Sequence, residues 1–137
     1  MLLTGEYCAR QGDRGRIGLW RLRDLDPAGP GIAEAQAVNY LPPHNGRPTL
    51  RVQGGTASHG TYWFTRNVAV RKGEPANPGK LVSVDWTAGG VWHNRDETTI
   101  SKGPEDLACW RSTSRLWTVA EHPSRRALYG VRDARCR

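Results

Sequence analysis

The sequence predicts a small mainly-β or α+β single domain, an antiparallel sheet or a barrel-like form, with one or two short helices. Three observations carry that expectation. Apolar residues recur with a period of two in several runs. Sixteen Gly and nine Pro divide the 137-residue chain into short elements. One hairpin signal stands out, Ala88-Gly89-Gly90 between two alternating runs.

The hairpin lies within the stretch Tyr62 to Ile100, which reads as three strands. Tyr62, Phe64, Val68 and Val70 share one face of the first strand, and Trp63, Thr65, Asn67, Ala69 and Arg71 share the other, as in a half-buried strand. Pro75, Asn77, Pro78 and Gly79 break it. In the next strand Val82, Val84 and Trp86 alternate with Ser83 and Asp85. A three-residue loop at 88–90 sets Trp86 opposite Trp92 and Asp85 opposite His93.

Toward the N-terminus, Tyr7 to Arg10 and Arg16 to Arg23 form a candidate hairpin, with Gln11 to Gly15 as its turn. Ile32 to Tyr40 is assigned a short helix on its alanines, which also fit alternation. Thr49 to Gln53 reads as a strand with Leu50 and Val52 inward. Gly54-Gly55 and Gly60 then bracket a flexible connection carrying Ser58 and His59. Gly103-Pro104-Glu105-Asp106 has the proline and early acids of a helix start, with Leu107 and Trp110 packing inward. Leu116 to Ala120 and Ala127 to Val131 are further strands.

The length fits one domain over residues 1–137, with a basic tail at 132–137. Six Trp and four Tyr supply large apolar area for its core, to which Trp20, Trp86, Trp110 and Trp117 are assigned. Cys8, Cys109 and Cys136 form no CxxC pair. Their odd number, and the absence of a signal-peptide core after Met1, predict reduced thiols in a cytoplasmic protein. No apolar run approaches the ~20 residues that cross a bilayer, so no membrane contact is expected.

The net charge of +7 comes from 17 Arg and 3 Lys against 13 acids. Arginine forks suit phosphate and carboxylate, so nucleic acid, or failing that an acidic protein surface, is the expected partner. A GC-rich coding sequence raises Arg, Ala, Gly and Pro together and explains the same composition without any ligand. Residues 104–137 hold the largest local excess, seven Arg against four acids.

The expected function is therefore that of a non-enzymatic binding protein. Trp63 and Trp92 stack bases, while Arg66, Arg71, Lys72, Arg111 and Arg115 contact phosphates. A second possibility is a protein-interaction module or structural accessory protein of a virus or mobile element, since Arg and Trp also dominate protein interfaces. A third is a small nuclease or transferase using His59, flanked by glycine, or an Asp85–His93 acid–base pair. The spacing of His44, His59, His93 and His122 fits no metal site, and no phosphate or dinucleotide loop is present, so neither metal nor cofactor is expected.

Ser112-Thr113-Ser114 after Arg111 is similar to the Ser-Thr-Ser strand of ADP-ribosyltransferases, which are also small and β-rich. That resemblance implies NAD chemistry. The Glu-x-Glu signature of the family is absent, with Glu121 alone downstream.

Overall fold

The computed structural model describes residues 2–5, 16–20, 37–40, 51–67, 78–86, 92–122 and 125–137. Among the described residues, ten strands lie in three antiparallel sheets. The first sheet joins β1 (Leu2–Gly5), β2 (Arg16–Trp20) and β3 (Ala37–Tyr40) in that order. The central sheet runs β4 (Val52–Ser58), β5 (Thr61–Arg66), β6 (Pro78–Trp86) and β7 (Trp92–Lys102). The third has β9 (Arg115–His122) between β8 (Pro104–Trp110) and β10 (Arg125–Arg132).

The middle strands of the central sheet, β5 and β6, are buried on both faces. On one face Tyr62, Phe64, Val82 and Val84 pack with Val52 and with Ile17 of the first sheet. On the other, Trp63 and Leu81 pack with Leu107, Leu116 and Cys136 from the third sheet and the segment after it. The alternation in β5 is therefore real, but the strand is not half-buried. Thr61 through Thr65 are all buried, because each face meets a different layer.

The predicted register of the β6–β7 hairpin holds, with Trp86 opposite Trp92 and Asp85 opposite His93. A bulge between Ser83 and Asp85 separates these pairs from the rest of the ladder. The strands expected at 116–120 and 127–131 are present inside β9 and β10.

Several expectations are corrected. β4 occupies the stretch expected to be a flexible glycine connection, and only His59-Gly60 turns. Both have positive φ, 48° and 81°, and they link the Ser58–Thr61 pair, as a tight primed hairpin turn requires. Gly54 is needed for close approach, since a Cβ there would lie 2.6 Å from Asp106 Cα and Glu105 O of β8. Thr65 Oγ1 donates to the same Glu105 carbonyl at 3.0 Å and ties the two layers together.

The helix expected from Gly103 is strand β8. Proline suits the start of an edge strand as well as a helix, and Leu107 and Cys109 turn inward at strand spacing. Helical structure there is confined to one 3-10 turn, Arg111–Thr113, closed by Ser114 at φ 49°. Ser112 to Ser114 thus form a turn, not the strand that the likeness to ADP-ribosyltransferases implies. The described end of the Ile32–Tyr40 segment is also strand. β2 pairs with Leu2–Gly5, while Tyr7 to Arg10 lies outside the described residues.

Cys109 and Cys136 form a disulfide with a Cα–Cα distance of 5.6 Å, which corrects the expectation of reduced thiols. Their separation of 27 residues hides the pairing from spacing arguments. The bond also corrects the basic tail, because residues 133–136 are docked. Cys136 is buried, and the Asp133 amide donates to Ser114 O at 3.0 Å.

Candidate nucleic-acid interface

Residues directly opposite in an antiparallel ladder share a face, and this rule assembles the site on the third sheet. Cys109 pairs with Leu116 and Leu116 with Val131, and this row faces the core. The adjacent row faces outward: Trp110 of β8 pairs with Arg115 of β9, which pairs with Arg132 of β10. All three are exposed, Trp110 by 61%. Arg111 begins the turn immediately beyond and is exposed too.

Continuing along the outer face, Ala108, Trp117 and Gly130 form the next row, with the Trp117 ring 3.0 Å from the position of a Gly130 Cβ. Trp117 Nε1 is buried and has no hydrogen-bond partner. Val119 and Leu128 follow, 42% and 63% exposed, and exposed Arg126 stands near the far end. The face is thus an aromatic and aliphatic strip with arginines at one end and, near the other, the paired positions Arg126 and Glu121.

Arg115 directly opposite Arg132 is an unfavourable arrangement in the free protein, since like charges across a ladder repel. Among the described residues, no ion pair is found at Arg111, Arg115 or Arg132, whereas Arg66 pairs with Glu97 and Arg135 with Asp133. Beside these opposed arginines stands the exposed ring of Trp110.

The other expected site residues separate. Trp63 is corrected as a base-stacking residue, because it is fully buried and its Nε1 donates to Asp133 Oδ2 at 2.9 Å. Arg66 is corrected as a phosphate ligand, since it is engaged in a 2.6 Å ion pair with the nearly buried Glu97. Arg71 and Lys72 lie outside the described residues, as do the side chains of Trp92 and His93. Arg111 and Arg115 remain, joined by Trp110, which composition assigns to the core. A strand pattern over residues 107–110 is the signal that places it correctly, because Leu107 and Cys109 inward force Trp110 outward.

A second polar cluster sits between the central sheet and residues 133–137. Arg135 donates through Nε and an Nη to both Asp133 oxygens, at 3.0 and 2.8 Å. It also reaches Ser83 Oγ at 3.1 Å, and its guanidinium lies 5.8 Å from the Trp63 ring centroid. Burial pushes the Asp133 carboxyl up, but bonds from Arg135 and Trp63 outweigh it and hold the group below its ordinary range. The Arg135 pKa is raised by its bond to Asp133, against burial, with help from the fields of Asp85 and Asp96. Asp133 and Arg135 thus satisfy each other's charge, as in a structural clamp.

Of the candidate catalytic groups, His59 is exposed on its turn. Asp85 Oδ1 accepts from Thr61 Oγ1 at 2.8 Å, and its backbone lies opposite His93. No group of three or more His, Cys, Asp or Glu residues arranged to hold a metal ion occurs among the described residues. Nor is any described helix long and apolar enough to cross a membrane. No protein-family model matches the chain, and no curated protein or solved structure matches it either.

Proposed function

We propose that the protein binds single-stranded nucleic acid on the outer face of the third sheet. The observation that carries this reading is the row Trp110–Arg115–Arg132, an exposed indole beside two opposed arginines. Arg115, Arg132 and Arg111 contact phosphates, and their mutual repulsion is relieved when an anion lies between them. Trp110 stacks a base, an interaction open to any base because each has a π-face. The strip of Trp117, Val119 and Leu128 extends the platform. This reading needs no catalytic group, metal or cofactor.

The disulfide favours an oxidising compartment over the cytoplasm expected from the cysteine count. Anisotropy of a labelled oligothymidylate tests the proposal. Trp110→Ala is expected to weaken binding by about 1–3 kcal/mol, roughly 5- to 150-fold, with Trp110→Phe intermediate. Unchanged affinity in Trp110→Ala would remove the stacking role.

A further inference from the structure

We infer that the free edge of β10 is a docking site for an acidic segment of a partner protein, which adds to the third sheet as a fourth strand. Among the described residues, β10 pairs with β9 on one side and is the terminal strand of its sheet. It spans eight residues, Arg125 to Arg132, without a proline. In its middle, Leu128 and Tyr129 point to opposite sides and are 63% and 38% exposed. An edge of this length with open backbone groups and exposed apolar side chains is a template for another strand, and natural edges are usually blunted to prevent such pairing.

Charge identifies the occupant. The strand carries three arginines, Arg125, Arg126 and Arg132, and no carboxylate. A second copy is a poor fit. The antiparallel register that pairs all eight residues sets Arg125 opposite Arg132, and a one-residue slip in one direction sets Arg126 opposite Arg132; the opposite slip avoids both clashes but leaves Arg132 outside the ladder. A strand with glutamate or aspartate at these positions meets the arginines with opposite charge, and small apolar residues between them meet Leu128 and Val131. Backbone hydrogen bonds then give affinity and the alternating side chains give selectivity. The edge shares Arg132 with the outward row of Trp110, so the test varies Arg125 and Arg126, which lie outside that row, and its failure is separate from a failure of nucleic-acid binding there.

The test uses the intact chain and a fluorescein-labelled eight-residue peptide with glutamates toward its ends, at the positions opposite Arg125, Arg126 and Arg132, and valine and threonine between them. Two further peptides keep every side chain but carry N-methyl groups on the odd or on the even backbone amides. The parent peptide is expected to bind, and one of the methylated pair to bind at least about tenfold more weakly, because one set of amides faces β10. Arg125→Glu with Arg126→Glu is expected to reverse the preference toward a lysine–valine peptide. No binding of the parent peptide, equal binding of all three peptides, or an unreversed preference would overturn the proposal. A dimer of the protein alone that is abolished by Leu128→Glu would overturn it too, by assigning the edge to a second copy.

Discussion

Two tryptophans exchange the roles that composition suggests for them. Trp63, close to arginines in sequence, is sealed in the core, while Trp110 stands in solvent beside Arg115. At the Trp63 site, Trp63→Phe keeps a ring but removes the donor to Asp133. A loss of about 1–3 kcal/mol in denaturant unfolding is expected. Asp133 sets a pH dependence. Its carboxyl titrates lower in the folded chain than in the unfolded one, so its contribution is complete above the unfolded value of about 4 and falls away as acid protonates it. Stability of the wild type is expected to drop below about pH 4, with a shallower drop in Asp133→Asn. Equal acid profiles for the two would show that the clamp contributes nothing.

Among the elements, β4 and β8 show how a glycine-rich stretch becomes a strand. Gly54 lets two backbones touch, which reads in sequence as flexibility because glycine has no side chain to indicate its neighbours. Gly54→Ala forces the layers apart and is expected to cost roughly 1–3 kcal/mol, read as a lower denaturation midpoint at unchanged slope. β8 resembles a helix in sequence because proline and early acids serve both element types, and pairing with β9 decides between them. By contrast, the β6–β7 register is legible, since the Gly-Gly turn and the flanking alternation agree on the same pairing. His59-Gly60 is legible only in part. Its glycine signals a turn, but histidine at positive φ is a demand of the hairpin rather than a preference of the residue.

Over the whole molecule, the antiparallel β architecture can be read from alternation and turn residues, whereas the stacking of layers cannot. Periodicity reports that a strand has two faces; it does not report what covers each of them. The same limit hides the disulfide and the docked end of the chain, which depend on where β8 and residues 133–136 come to rest. The Cys109–Cys136 bond closes a 27-residue separation, for which loop entropy suggests about 3–4 kcal/mol of stabilisation. Cys109→Ser with Cys136→Ser is expected to lose that amount, as is the wild type under thiol reductant. The candidate interface is half legible. Local charge picks out Arg111 and Arg115, but joining them to Trp110 and Arg132 requires the ladder.

Whether those arginines grip phosphates is tested most directly by the salt dependence of oligothymidylate affinity, measured for the wild type and for Arg115→Ala with Arg132→Ala. Binding by the wild type is expected to fall steeply as salt rises. Its log–log slope should exceed that of the double variant by about 1.4, at about 0.7 for each phosphate that an arginine neutralises. An affinity indifferent to salt, or the same slope in both proteins, would contradict the reading of this face as a nucleic-acid platform.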